Sequence, residues 1–386
     1  MAGLTAAYEL HRRLGQRVDL LLISEHSHFR LGPALVNVAF GTRTKKVGFA
    51  LKPALARHSI AFQQVVVERV DPQRRLVYAG GQEIAYDFLT ITTGPAIDSG
   101  SIPGVGGEFN AGFFIHAEES AMETSQALAR FLEHPGPAVV GVATGAAYLS
   151  AAYEFALQLD TALRRANKRE QATITFITPE TLLGHLSIGV AKAQHRIERL
   201  FAERKISVIT GMDIQRVDSH QVTLRGGRIV PSVFTMVMPA FHGVPEIWKS
   251  AGLTDRHGYV PVDGYYRHHT FPEIYAAGMA AQVHGSPAHS GGVPKTGYMA
   301  TVAAKQLAKN LAAAITWTAP DEPVLPRLRD LRILDGGDGG ILLARFELRR
   351  PHHLVLQLPG RTASRLKRLL TRYILWKLRT GRTALP

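Results

Sequence analysis

The chain reads as an α/β protein: two units that alternate strand, turn and helix, followed by a C-terminal amphipathic helical segment. Three observations carry that reading. Alanine-rich helical patterns follow glycine turns near residues 3 and 145, short apolar strands alternate with helical periods, and residues 361–382 set leucines and aromatics among arginines and lysines. With 386 residues, 46% of them apolar, and 36 glycines, the chain is long enough to bury two cores. No apolar run reaches bilayer length and no charged-then-apolar leader opens the chain, so neither a membrane span nor secretion is expected.

Met1-Ala2-Gly3 runs directly into Leu4-Thr5-Ala6-Ala7-Tyr8-Glu9-Leu10, a helical pattern, and Val18-Asp19-Leu20-Leu21-Leu22-Ile23 reads as a buried strand. This is the second half of a strand-turn-helix-strand unit. In the fingerprint G-x-G-x-x-G the glycines let backbone approach a pyrophosphate held at a helix N-terminus. Gly3 fits the last glycine, and the first strand with the first two glycines is missing. The expectation is a unit whose translation start lies at an internal methionine; an ordinary N-terminal helix is the alternative. Ser24 and Glu25 close the strand, about twenty residues past Gly3, where a polar or acidic side chain can bond an adenosine ribose. Tyr86-Asp87-Phe88-Leu89-Thr90-Ile91-Thr92-Thr93-Gly94-Pro95 is a further apolar strand. It closes on a turn where Gly94, without a side chain, lets the main chain pass beside a bound dinucleotide.

A second unit begins after Pro135-Gly136-Pro137, with a strand over 138–143, a turn at Gly145 and a helix over 150–165 whose basic C-terminal end suits the helix dipole. Strands over 173–178 and 207–210 and a helix over 191–205 continue the alternation. The turn Gly141-Val142-Ala143-Thr144-Gly145 departs from G-x-G-x-x-G, so the fold of a nicotinamide domain is expected without competent nicotinamide binding.

Two later segments, Phe271-Pro272-Glu273-Ile274-Tyr275-Ala276-Ala277-Gly278 and Pro294-Lys295-Thr296-Gly297-Tyr298-Met299, allow the pattern to be matched to a family. Together with Gly145-Ala146-Ala147-Tyr148-Leu149-Ser150-Ala151-Ala152-Tyr153-Glu154-Phe155, Leu183-Gly184-His185-Leu186 and Pro239-Ala240-Phe241-His242-Gly243-Val244, they resemble the FAD-dependent pyridine nucleotide-disulfide oxidoreductases. The narrower resemblance is to sulfide:quinone oxidoreductases, with type II NADH dehydrogenases more distant, and it covers nearly the whole chain. It implies two Rossmann-like dinucleotide-binding domains: 1–110 and 236–315 as the two parts of an FAD domain lacking its first strand, and 111–235 as a degenerate nicotinamide domain. Residues 316–386 then form a quinone- and membrane-associating region.

The resemblance implies FAD as cofactor and quinone as acceptor. Gly3, Ser24, Thr93, Gly94 and Gly278 fall where the family contacts FAD, with Glu25, Met279, Thr296 and Gly297 beside them in the same motifs. Lys295 falls beside the isoalloxazine and quinone, where an ammonium stabilises an anionic reduced ring; a solvated or capping lysine is the alternative. Many superfamily members carry Asp where this chain has Met279, a departure shared with the quinone-reducing branch.

The chain contains no cysteine. A thiolate is the group that attacks sulfur and carries a persulfide, and FAD linkage through cysteine is likewise impossible. By the resemblance, the family's thiol positions are taken by Tyr148, Ala280 and, more loosely, His116, and Ser120 replaces a family histidine. His185 matches a retained family histidine of the sulfide site and is a candidate acid or base; Tyr148 either relays a proton or fills space. The implied function is electron transfer through FAD to a membrane quinone with cysteine-based sulfide oxidation lost. A non-catalytic or regulatory homologue that binds a membrane partner, and an NADH:quinone reductase, stay open. His116, His185, His242, His284 and His289 match no compact ligand spacing, and no metal is expected.

The net charge of +14 is concentrated, since 361–382 holds many Arg and Lys and no acid. Leu366, Leu369, Leu370, Tyr373, Ile374 and Trp376 gather towards one helix face among Arg365, Lys367, Arg368, Arg372, Lys377 and Arg379. Such a helix suits the headgroup region of an anionic membrane, with a partner-docking or core-covering helix as the alternative. Nucleic acid is not expected as a partner. The resemblance places the protein peripherally on the inner membrane, at the cytoplasmic face, and a homo-oligomer is possible. Leu334-Asp335-Gly336-Gly337-Asp338-Gly339-Gly340 reads as a turn before a final strand pair; it lacks the alternating ligands and closing Glu of a calcium loop.

Overall fold

The computed structural model describes residues 1–42, 46–98, 100–106, 111–146, 149–186, 190–283, 296–319, 330–347 and 351–383. Runs of valine, isoleucine and phenylalanine in the second unit align as a five-stranded parallel sheet. Its order is Gly112–Phe113, Phe234–Met238, Ala138–Val142, Ile174–Ile177, Ile206–Ile209. Every residue of Ala138–Val142 and Phe234–Met238 is buried, as in parallel strands covered on both faces. The helix Leu149–Arg165 supplies one cover, burying Tyr153, Phe155, Leu157, Leu159 and Leu163. The strands Ala138–Val142, Ile174–Ile177 and Ile206–Ile209 and the helix Ala191–Glu203 lie within two residues of their expected bounds.

The first unit is built differently. Leu21–Ser24 pairs in parallel with Ala61–Gln64, and Leu89–Ile91 pairs in parallel with Ile274–Ala276, as two separate two-stranded sheets. The far edge of Ile274–Ala276 is taken by residues 266–268, through an antiparallel bridge from Arg267 to Tyr275 and bonds to Tyr266 O and from His268 N. Among the described residues, Leu21–Ser24 and Leu89–Ile91 therefore each have one neighbour, and Leu21 is 44% exposed.

The C-terminal part forms a three-stranded antiparallel sheet of Asp330–Asp335, Gly339–Glu347 and Pro351–Pro359, with the helix Thr362–Arg379 packed on it. The glycine-rich run turns between the first two strands: Gly337 has φ +82°, and its amide donates to Asp335 Oδ1 at 2.8 Å.

The C-terminal helix differs from its sequence pattern in one respect. Lys367 and Lys377, which spacing alone puts among the exposed flanking cations, are buried. The Lys367 ammonium is ion-paired with Glu154 of the Leu149–Arg165 helix, and Gln158 Nε2 donates to the same carboxylate oxygen at 3.1 Å. Leu366, Leu369 and Trp376 point outward. Among the described residues, no helix is long and apolar enough to cross a membrane.

Glu154 makes this anchorage pH-dependent. Burial raises its carboxyl from 4.5 to about 7, against the lowering effect of Lys367. Between those values the unfolded chain has released the proton that the folded chain keeps, so stability is fully present below 4.5 and falls as pH rises through 7. Denaturation of the native chain and of Glu154→Gln at pH 5 and pH 8 should show the native chain losing more stability over that interval than the variant. Parallel pH profiles would refute it.

Candidate functional site

The open end of the first helix, Ala2–Leu14, organises the site. Thr5 N bonds Met1 O at 3.1 Å, and the amides of residues 2–4 precede the first intrahelical bond, an arrangement that attracts anions. Backbone without side chains gathers around this end. A Cβ on Gly3 would lie 2.6 Å from Thr92 Oγ1, one on Gly278 would lie 3.0 Å from Ala2 Cβ, and one on Gly297 would lie 2.8 Å from Met1 Sδ. Gly278 has φ +74°, which favours glycine independently of space. Ala277 N donates to Ile91 O at 3.2 Å, holding this turn beside the strand that ends in Thr92, Thr93 and Gly94. Gly94 has φ +80° and open space around it. The Met1 amino group is buried here, which pushes it down to about 6.

The structure thus brings together Gly3, Thr93, Gly94, Gly278, Met279, Thr296 and Gly297 from four separate stretches of sequence. Thr296 caps the helix Gly297–Ile315, its Oγ1 accepting from Met299 N at 3.3 Å, and Met279 is buried behind the glycine turn. Ser24 and Glu25 sit at the C-terminal end of their strand. Ser24 Oγ accepts from His26 N at 3.2 Å, and the Glu25 carboxylate is exposed, 3.3 Å from His26 Nε2. Lys295, Tyr148, His284 and His289 lie outside the described residues.

At the positions matched to family thiols, Ala280 is buried, and His116 packs its ring 5.3 Å from that of Phe241. Burial lowers the His116 pKa, and its Nδ1 is buried with no hydrogen-bond partner among the described residues. Ser120 is a helix cap, its Oγ accepting from His116 N and Ala117 N at 3.2 and 3.1 Å.

His185 is half-buried on a turn held by two residues that the sequence reading did not single out as functional. Tyr153 Oη donates to Glu180 Oε2 at 2.5 Å and accepts from Gly184 N at 2.8 Å, while Glu180 Oε1 accepts from Leu186 N at 2.6 Å. Burial and the Glu180 charge push the Tyr153 phenol far above its usual range, so it stays a neutral donor. The available signal was a tyrosine inside an apolar helix, whose hydroxyl needs a partner once buried.

In the second unit, Thr144 of the glycine turn donates to Asp213, whose carboxylate also pairs with Arg225 at 2.9 Å. A carboxylate thus sits at the turn that in the fingerprint faces a pyrophosphate. Among the described residues, no three His, Cys, Asp or Glu side chains are grouped to hold a metal.

The profile of the family described as pyridine nucleotide-disulphide oxidoreductase matches residues 1–308. The sulfide-quinone reductase of Aquifex aeolicus (strain VF5) is 33% identical over 398 residues, spanning 100% of this chain and 90% of its own. The crystal structure of the sulfide:quinone oxidoreductase from Aquifex aeolicus superposes with a TM-score of 0.85 at 30% identity, covering 98% of this chain and 90% of that one. NDH2 from Plasmodium falciparum, in complex with NADH, shares the fold, with a TM-score of 0.70 at 14% identity over 98% and 93% of the two chains. The chain belongs to the pyridine nucleotide-disulphide oxidoreductase family, as a cysteine-free homologue of sulfide-quinone reductase.

Proposed function

We propose that this protein is a FAD-dependent oxidoreductase that passes electrons to a membrane quinone without the thiol chemistry of sulfide oxidation. The observation that carries this reading is the convergence of Gly3, Gly278 and Gly297 on the open end of the first helix, beside the strand end that runs on to Gly94. The family implies a flavin, and a cradle walled by bare backbone fits a dinucleotide. Gly3 and the first-turn amides would take the pyrophosphate, Ser24 and Glu25 the adenosine ribose, and Thr93, Gly94, Gly278 and Met279 the main-chain contacts along it. Thr296 and Gly297 would present the N-terminus of the last long helix of this unit, and Lys295 would offer its ammonium to negative charge on the ring. Bound FAD supplies the redox chemistry. His185 would hold or release a proton for the quinone or its donor, with Tyr148 as a further candidate for that relay.

The sulfur route lacks a nucleophile in this chain, because attack on sulfide-derived chains needs a thiolate. The turn Gly141-Val142-Ala143-Thr144-Gly145, which departs from G-x-G-x-x-G, disfavours NADH as donor. The exposed Leu366, Leu369 and Trp376 of the C-terminal helix, beside exposed Arg365, Arg368, Arg372 and Arg379, support peripheral attachment to an anionic membrane. We place it at the cytoplasmic face of the inner membrane. Each such cation contributes about 1 kcal/mol near the surface.

The purified full chain, incubated with FAD, should show a flavin spectrum, bleach on anaerobic photoreduction and recover on addition of a quinone. It should not bleach with NADH. A chain that takes up no FAD would overturn the reading in favour of a non-catalytic homologue that binds a membrane partner, which the divided sheet of the first unit favours.

A further inference from the structure

A cavity of ≈ 220 Å³ lies outside the flavin cradle, between the short helix Leu51–Ala56 and the end of the C-terminal helix. Its walls are Phe49, Ala50, Pro53 and Ala54, joined by Arg57 and Arg379. Both arginines are exposed, and neither guanidinium forms an ion pair or hydrogen bond with a described residue. The chemistry is that of an amphiphile: apolar walls take hydrocarbon, and two guanidinium forks without a partner among the described residues match the oxygens of a phosphate. At ≈ 220 Å³ the cavity is smaller than the usual ligand pocket of about 300–1,000 Å³ and has room for one end of an amphiphile.

The surroundings supply the rest. Arg379 ends the helix whose outer side exposes Leu366, Leu369 and Trp376, and the Arg382 guanidinium lies 5.0 Å from the Trp376 ring. The carbonyls at that helix end are occupied, Trp376 O by Thr380 N and Oγ1 and Thr380 O by the His58 ring, so the two guanidinium groups define the polarity of the cavity. We propose that this cavity is a binding site for a single anionic phospholipid. Arg57 and Arg379 hold its phosphate, the glycerol and first methylenes rest on Phe49 and Ala54, and the tails stay in the bilayer. The C-terminal helix then has a fixed point of attachment to one lipid as well as a diffuse attraction to the surface. The proposal rests on the membrane reading given above.

Dihexanoylphosphatidylglycerol, kept monomeric below its micellar concentration, probes the site without a membrane. Calorimetric titration of the full chain should show saturable binding that Arg57→Gln and Arg379→Gln each weaken about tenfold or more, as loss of a charge-assisted hydrogen bond would. Arg365→Gln, an equal loss of charge on the same surface, should leave it unchanged, and Arg57→Lys should fall between. Equal weakening by all three glutamine variants would overturn the site, as would absence of saturable binding. Inorganic phosphate binding as tightly as the lipid would also overturn it, in favour of a plain anion site. Flotation with phosphatidylcholine vesicles containing phosphatidylglycerol tests the membrane reading separately. A chain that binds monomeric lipid but does not float keeps the site and loses that reading.

Discussion

Asp160→Asn is expected to destabilise the protein by about 3–5 kcal/mol, the cost of breaking a buried ion pair from one side. Asp160 is 0% exposed on the Leu149–Arg165 helix, and its carboxylate accepts from Arg164 Nε at 2.8 Å, Arg169 Nε at 2.6 Å and Arg204 Nη1 at 3.1 Å. Arg204 also donates to Thr161 Oγ1 at 2.9 Å and pairs with Asp338 of the glycine-rich turn. One carboxylate thus links the helix, the loop before the strand Ile174–Ile177 and, through Arg204, the C-terminal sheet. Asparagine keeps the shape and removes the charge, leaving the nearly buried guanidinium of Arg169 without its carboxylate and that of Arg204 with Asp338 alone. Arg164→Gln serves as the contrast: its side chain is 45% exposed, so its loss should cost at most about 1 kcal/mol. Urea unfolding of the two variants would decide the matter. A cost below 1 kcal/mol for Asp160→Asn would show that water takes over the network.

The features that sequence carries well are those set by local chemistry. Glycines 3, 94, 278 and 297 announce themselves by motif, and the structure gives each a reason, either a positive φ or a Cβ collision with a residue distant in sequence. Strands such as Ala138–Val142 were legible because continuous burial leaves a continuous apolar run. What was not legible depends on pairing at long range. Lys367 and Lys377 look like solvated cations by helical spacing, and only the tertiary position of Glu154 turns Lys367 inward. Glu180 gave no local signal that it would clamp the turn of His185, since its partners Tyr153 and Leu186 lie on opposite sides of it in sequence. Arg57 and Arg379 are 322 residues apart, as are His58 and Thr380, whose hydrogen bond closes the same region.

Gly278→Val is expected to remove FAD from the protein, and a second glycine separates the reason from simple misfolding. Gly278 and Gly81 have nearly the same φ, +74° and +73°, in the left-handed region, where a side chain costs about 1–2 kcal/mol in conformation. Their surroundings differ. A Cβ at Gly81 meets nothing within 4 Å, whereas one at Gly278 comes within 3.0 Å of Ala2 Cβ at the open end of the first helix. Valine at 278 must therefore displace the helix end whose free amides would meet the pyrophosphate, and valine at 81 leaves that end untouched. After reconstitution and gel filtration, Gly81→Val should keep its flavin absorbance, and Gly278→Val should lose at least about tenfold in affinity for FAD. Far-ultraviolet circular dichroism should be alike in both, since shifting one helix end leaves the content of helix and strand unchanged. Native flavin content in Gly278→Val would move the cofactor away from this glycine cluster. Equal loss in both variants would assign the effect to stability and remove the cradle from the account.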